Sequence, residues 1–288
     1  MAAALVYGLG GRFFTREFYR AQAALAAEQP QAGGGRLSLS FDIDYPEDAR
    51  ALPELCDLLA QLGLTCSFAV IGKLVEAYPA EHRKLVSAGH ELLNHTYSHP
   101  DHEIFHPHES FDDLALSAQK EQIERCHKVC QDILGASMTG FRAPHFGNVT
   151  GRTFYQALNE LNYSFSSSLT AAASPSFGLP FRAEEGILEF PVTCCPRHPF
   201  AVLDTWHALR KSGARHTGKG ELRSLVLEAA ALVSESRGYL NLYLDPRDVL
   251  EFEEAKSALT GLAESPVRLA SITYAGYLQL LRDNPSLG

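Results

Sequence analysis

Short β-rich runs alternate with amphipathic helical stretches along most of this chain, and that order builds parallel sheets. The runs Leu37 to Ile43, Thr65 to Ile71 and Glu91 to Asn94 are separated by helical patterns at Ala51 to Leu62 and Lys73 to Ala88. The series continues with a long helix through Phe111 to Leu134, a strand at Thr139 to Arg142, a helix at Gly151 to Leu161, and strands at Tyr163 to Ser167 and Ile187 to Pro191. It ends with a helix at Glu221 to Ser236, a strand at Tyr239 to Leu244, a helix at Val249 to Leu262, a strand at Arg268 to Ile272 and a last helix from Ala275. Around seven such units predict an α/β fold, a distorted (β/α)7–8 barrel. Residues 37–288 are expected to form the barrel. Residues 1–36 are read as an N-terminal arm, with a short helix at Phe13 to Ala27 and a break at Gln31-Ala32-Gly33-Gly34-Gly35.

With 288 residues and 45% hydrophobic content, the chain can bury a substantial single core. A net charge of -9 without any Lys/Arg cluster argues against nucleic acid or an anionic membrane as partner. No uncharged apolar run is long enough for a membrane span, and Arg12, Arg16 and Glu17 interrupt the apolar start of the chain. The expectation is a cytoplasmic protein. Its cysteines, Cys56, Cys66, Cys126, Cys130, Cys194 and Cys195, lack the spacing of a disulfide scaffold and read as buried, reduced thiols.

In such barrels the chemistry sits where strands end. Ser40-Phe41-Asp42-Ile43-Asp44 closes the first strand, and Asn94-His95-Thr96-Tyr97-Ser98-His99-Pro100 follows the third. Asp44, His95 and His99 offer one carboxylate and two imidazoles, a set that suits Zn2+ and leaves positions open; Co2+ and Ni2+ are feasible too. The four-residue spacing of the histidines places them on one side of a helical turn. Asp42 points to the same side of its strand as Asp44 and can reach a reacting water without binding metal. Arg142, in Phe141-Arg142-Ala143-Pro144-His145, can hold Asp42 ionised, or simply form a structural ion pair. Glu189, in Ile187-Leu188-Glu189-Phe190-Pro191, faces either the site or solvent.

Together these elements, over roughly residues 37 to 282, resemble the polysaccharide deacetylase superfamily, the group with the NodB homology domain also called carbohydrate esterase family 4. The resemblance implies a NodB-type barrel with Asp42 as general base, Asp44, His95 and His99 as metal ligands, Arg142 orienting the base, and the His145 backbone N–H facing the oxyanion. Two departures stand out. The family has Leu-His, with the histidine as general acid, where this chain has Leu244-Asp245-Pro246, and the aspartate that supports that histidine is replaced within Ser166-Ser167-Ser168.

The implied activity is metal-dependent removal of an N-acyl group from an amino sugar or related small acylated metabolite. Alternatives are hydrolysis of a formyl or cyclic amide, and a silent metal- or glycan-binding module. Asp245 is expected to deliver the proton to the leaving amine if burial raises its pKa, or else to cap the helix near Val249. His198 is a second donor. Pro144, Tyr97 and His198 are expected to touch substrate. Tyr97, Phe105, Phe146 and Trp206 either stack on a sugar or fill the core. Asp204-Thr205-Trp206 lies in the wrong order for a family motif and reads as coincidence.

Overall fold

The computed structural model describes residues 24–25, 35–145, 153–195, 202–210, 221–267 and 269–283. In chain order its elements are β1 (Arg36–Ile43), α1 (Pro46–Leu62), β2 (Ser67–Val70), α2 (Gly72–Ala77), α3 (Pro79–Ser87), β3 (Glu91–Asn94), α4 (Leu116–Leu134), β4 (Gly140–Phe141), α5 (Thr153–Glu160), β5 (Phe165–Ser166), β6 (Phe181–Arg182), β7 (Leu188–Glu189), α6 (Glu221–Ser236), β8 (Tyr239–Leu244), α7 (Pro246–Glu251), α8 (Glu253–Glu264), β9 (Ala270–Ser271) and α9 (Tyr274–Asp283). Nearly all of the expected arm lies outside the described residues, and Arg36 already belongs to β1.

The strands join in the order β6-β7-β5-β4-β3-β2-β1-β8, with β9 pairing the start of β1, and every pairing is parallel except β6 with β7. The sheet curls until its ends nearly meet. Beyond β7, the Thr193 N–H donates to the Asn241 carbonyl of β8 at 2.9 Å, and Asn241 Nδ2 donates to the Phe190 and Pro191 carbonyls at 2.8 and 3.1 Å. This bridging makes the expected barrel a distorted one, closed by hydrogen bonds rather than by a full strand pair.

Strand alternation explains where the core and the polar interior fall. In β1, Leu37, Leu39, Phe41 and Ile43 pack into the main hydrophobic core with Leu52, Leu55 and Leu59 of α1. Ser38, Ser40 and Asp42, on the opposite face, are also buried and turn into the barrel. β8 repeats the device, with Leu240, Leu242 and Leu244 in the core and Asn241 inside.

Several expected elements are subdivided. The single helix read from Lys73 to Ala88 is two, because Pro79 has no N–H to continue α2 and instead starts α3. The helix read from Phe111 begins at Leu116, after a separate 3-10 turn at Phe111–Asp113. The helix read from Val249 starts at Pro246 and breaks at Phe252, which has extended backbone. Cys56, Cys66, Cys126 and Cys130 are buried free thiols, and Cys194 and Cys195 are buried as well. Among the described residues, no helix is long and apolar enough to cross a membrane.

Candidate active site

A cleft of about 390 Å3 opens at the carboxyl ends of the strands, lined among others by Asp42, Asp44, His95, His99, His145 and Asp245. Asp42 lies in β1 and Asp44 just beyond its end, so both reach the same opening. His95 follows β3 directly; its N–H donates to the Val70 carbonyl at 3.0 Å and extends the parallel ladder by one residue.

The histidine spacing works through a loop, which corrects the expected helical turn. Thr96 and His99 have left-handed backbone, φ +67° and +51°. A β-branched residue resists this conformation, so the surroundings must impose it. The Thr96 N–H donates to Asn94 Oδ1 and the His99 N–H to Thr96 Oγ1, both at 2.9 Å. The first amides of α2, Gly72 and Lys73, donate to the Thr96 and Tyr97 carbonyls. Gly72 is needed there, since a Cβ would come within 2.7 Å of the Tyr97 ring.

The loop gathers donors. Asp44 Oδ1 lies 3.3 Å from His95 Nε2 and 3.7 Å from His99 Nε2. Tetrahedral ligands at about 2.1 Å from an ion lie about 3.4 Å apart, so these side chains fit a divalent cation. Asp44 Oδ1 is buried with no hydrogen-bond partner, as expected of a group shaped to bind a cation. His95 Nδ1 lies 2.8 Å from the Arg142 carbonyl, which fixes Nδ1 as the protonated nitrogen and leaves Nε2 to face Asp44. His102 Nε2 lies 3.0 Å from the Asp44 carbonyl, and its Nδ1 accepts from the Ile104 N–H at 3.1 Å. This ring steadies the backbone of the ligand. Burial works to raise the Asp44 carboxyl, but His99 and His95 outweigh it and hold it below the usual range. Burial, helped by the charges of His95, His145 and His102, pushes His99 well down and keeps it an unprotonated donor.

Asp42 stands beside that set, with Oδ2 3.9 Å from His95 Nε2 and its other oxygen held by Arg142. Arg142 Nη1 donates to Asp42 Oδ1 at 2.5 Å, Nη2 donates to Ser40 Oγ, Ser167 Oγ and the Tyr274 hydroxyl at 2.9 to 3.0 Å, and Nε donates to the Ser167 carbonyl at 3.1 Å. A guanidinium this buried is tolerable only because its donors are so fully used. Burial pushes Asp42 up from the ordinary carboxylate range, against the pull of Arg142 and His95. Such a carboxylate is ionised by its partner yet more basic than one in water.

Ser166-Ser167-Ser168, where the resemblance implies an aspartate, is built into this support: Ser167 holds Arg142, and Ser168 Oγ accepts from the Ala143 N–H at 2.9 Å. Glu189 faces neither cleft nor solvent. It is buried, accepting from the Ser168 and Leu169 N–H groups and from the Tyr155 hydroxyl.

Tyr97 also lies elsewhere than expected. Its hydroxyl donates to Glu76 of α2, its ring sits under the Arg125 guanidinium at 3.5 Å, and it is absent from the cleft lining, as is Pro144. His145 does line the cleft, in left-handed backbone at φ +50°, its ring 4.8 Å from that of His99. His198 and Phe146 lie outside the described residues.

The cleft is completed by Asp245, which follows β8, the strand paired with β1, and by residues that sequence reasoning set aside. Asp245 occupies the N-cap position of α7, yet its side chain makes no cap hydrogen bond. Instead Oδ1 pairs with the Tyr243 hydroxyl and Oδ2 with Thr205 Oγ1, each at 3.1 Å. Burial, with the charges of Asp48, Asp248, Asp44 and Asp204, pushes its carboxyl well above the usual range. Asp204, Trp206 and His207 face the same cleft. His207 Nδ1 lies 2.7 Å from Asp204 Oδ2, and the His207 N–H donates to Asp204 Oδ1 at 3.1 Å. The histidine right after Asp204-Thr205-Trp206 was the available signal.

The family model for "Polysaccharide deacetylase" matches residues 29–166, the stretch that carries Asp42, Asp44, His95, His99 and Arg142. Over that stretch, just under half of its length, the chain is similar to the polysaccharide deacetylase superfamily. A chitooligosaccharide deacetylase from Sinorhizobium fredii is 36% identical over 72 residues, 25% of this chain and 34% of that relative, so the chain spans about a third of the length of that curated relative. A solved Mycobacterium smegmatis protein described as a polysaccharide deacetylase superposes with a TM-score of 0.70 at 16% identity, covering 89% of this chain and 94% of that one. The Puue allantoinase shares the fold at a TM-score of 0.65 and 14% identity, covering 89% of this chain and 94% of that one. At these identities the likeness establishes the fold, the α/β curled sheet of the superfamily.

Proposed function

We propose that this chain is a metal-dependent N-deacetylase of the polysaccharide deacetylase superfamily, a hydrolase of non-peptide C–N bonds acting on an amino sugar or a related small acylated metabolite. One observation carries the reading: three converging donors, one of them with an unpartnered buried oxygen, stand beside an aspartate that is held by an arginine. Asp44, His95 and His99 would hold Zn2+, or Co2+ or Ni2+ in its place. When bound, such an ion makes water more acidic and polarises the substrate carbonyl.

The chain's own residues supply the rest. Asp42 takes the proton of the attacking water, and Arg142 fixes the carboxylate in the orientation for that transfer. The His145 N–H is assigned to the oxyanion, on the support that His145 lines the cleft, and such a donor contributes about 3 kcal/mol where one has been removed. Pro144 shapes the loop that presents this N–H, and His198 is assigned to substrate contact. Residues 37–288 form the catalytic barrel on this reading. The amino-sugar substrate is supported by the chitooligosaccharide deacetylase relative.

A second reading, hydrolysis of a formyl or cyclic amide, is favoured by Asp245 standing where the family resemblance implies a histidine, on a fold shared with an allantoinase. Purified protein loaded with zinc and given N-acetylated chitooligosaccharides, a formamide panel and cyclic amides decides between them. Acetate release that stops on chelation supports the N-deacetylase. Formate release or ring opening without acetate release supports the second reading, and binding without turnover rejects both.

A further inference from the structure

Breaking a C–N bond requires a proton for the departing nitrogen, and Asp42, already the acceptor of water's proton on the proposed reading, is pinned on the far side by Arg142. Two other titratable groups lining the cleft are already engaged. His102 has both ring nitrogens engaged by backbone, Nε2 at the Asp44 carbonyl and Nδ1 at the Ile104 N–H. Asp245, the donor expected from sequence, is 2% exposed with both carboxyl oxygens taken by hydroxyls. Both oxygens accept from neighbouring hydroxyls instead of facing the cleft alone.

His207 differs on each count. It sits in the helical turn Trp206–Arg210, its side chain is 31% exposed, and it lines the same cleft as Asp42 and Asp44. Asp204, fully buried, takes Nδ1 with one carboxylate oxygen and the backbone N–H of the same histidine with the other. Two attachments from one carboxylate set both the ring's tautomer and its direction. Nε2 is left without a protein partner among the described residues, the arrangement of a histidine that hands a proton to something outside the protein. Asp204 and His207 lie beyond the matched family region, residues 29–166.

We propose that His207, positioned by Asp204, protonates the leaving nitrogen; this rests on the N-deacetylase reading above. Water adds to the carbonyl carbon as Asp42 takes its proton, giving a tetrahedral adduct with one oxyanion and one hydroxyl. The adduct collapses: the oxyanion reforms C=O, the C–N bond breaks with its electron pair going to nitrogen, and the Nε2 proton of the imidazolium joins that nitrogen. The products are the free amine and the carboxylic acid. Neutral His207 and protonated Asp42 are reset by proton exchange with solvent.

The test compares two substrates in the zinc-loaded enzyme: an N-acetylated chitooligosaccharide, whose amine must be protonated to leave, and 4-nitrophenyl acetate, whose phenolate leaves without a proton. In His207→Gln, kcat for the amide should fall by about 10²- to 10⁴-fold, the span of a general acid. The ester loss should be at least about tenfold smaller, and Asp204→Asn should show the same split at lower amplitude. Because both rates are measured on one preparation, their ratio does not depend on the fraction that folds. Equal losses on both substrates, or an amide rate within threefold of wild type, overturn the assignment while leaving the hydrolase reading intact. A wild-type protein inert towards both substrates overturns that reading and this inference with it.

Discussion

The two walls of the cleft are built on different principles. The wall with Asp42 grows from strand ends: Ser40 and Asp42 of β1, Arg142 just past β4 and Ser167 just past β5 interlock through a guanidinium whose hydrogen-bonding groups are all used. The wall with Asp204, His207 and Asp245 comes from a short helical turn and the end of β8, and one of its rings is left with a nitrogen to spare. The first wall is rigid because its charges leave no alternative arrangement that satisfies them. The second presents a proton because one of its groups is not satisfied. The matched family region, residues 29–166, includes Ser40, Asp42 and Arg142 of the first and stops before the second.

The largest effect should come from the ligand set that lies between the walls. His95→Ala removes a direct donor, so metal affinity should fall by more than the about 10- to 100-fold typical of losing a supporting partner. Elemental analysis of the dialysed variant is expected to find no stoichiometric zinc. Retention of one ion per chain would break the picture of three converging donors.

Next comes the rigid wall itself. Arg142→Met leaves the Asp42 carboxylate buried without its counter-charge, and breaking a buried pair from one side costs about 3–5 kcal/mol. The denaturant midpoint should drop accordingly. A loss below about 1 kcal/mol, the scale of a surface pair, would show that the wall relaxes and that its rigidity is not what separates it from the other.

A smaller effect belongs to the loop that carries the histidines. Asn94 donates to the Ile123 carbonyl and the Tyr163 hydroxyl and accepts from the Thr96 N–H, all buried. Asn94→Ala strands these groups, at a cost of about 1–3 kcal/mol, and frees the left-handed Thr96. Metal affinity should weaken along with stability, by about tenfold, because the same turn aims His99. Titration with zinc in a competing chelator reads this directly, and unchanged affinity would mean that the loop holds its shape without Asn94.

How much was legible in the sequence follows the same division. β1, β3, α6 and β8 carry their periodicity in runs of four or more residues, and their ends locate Asp42, Asp44, His95 and Asp245 at one rim. The histidine spacing was legible as a ligand pair, but its geometry was not, because a left-handed Thr96 is imposed by Asn94 and α2 from outside the motif. β6 has only two residues, too few for any alternation to show. The pairing of Asp204 with His207 is local in sequence, yet nothing in a four-residue stretch reveals that β8 and the cleft lie against it. Tyr97, read as either a sugar platform or a core residue, sits one residue from Thr96, where it packs into the core with its hydroxyl on Glu76. The strand-end wall is coded by period, while the other is coded by contacts distant in the chain.

The smallest effect sharpens the comparison most. Asp245 is 2% exposed, and burial together with Asp48, Asp248, Asp44 and Asp204 holds its carboxyl well above the usual range. A neutral carboxyl and an amide have nearly the same shape, so Asp245→Asn should keep the contacts to Thr205 and Tyr243 and slow amide turnover by less than tenfold, under about 1.4 kcal/mol. Stability should reveal the raised carboxyl in a different way. Its folded pKa exceeds the unfolded value of about 3.9, so wild-type stability from this group is complete below that value and declines as pH climbs towards the folded pKa. Asparagine has no proton to lose and escapes the decline. The variant should therefore gain on wild type between pH 4 and neutrality when denaturant midpoints are compared, with little difference at the acid end. A gap that stays constant with pH would mean that Asp245 is ionised in the fold. A turnover loss as large as that of His207→Gln would move the proton donor to Asp245, back to the strand end.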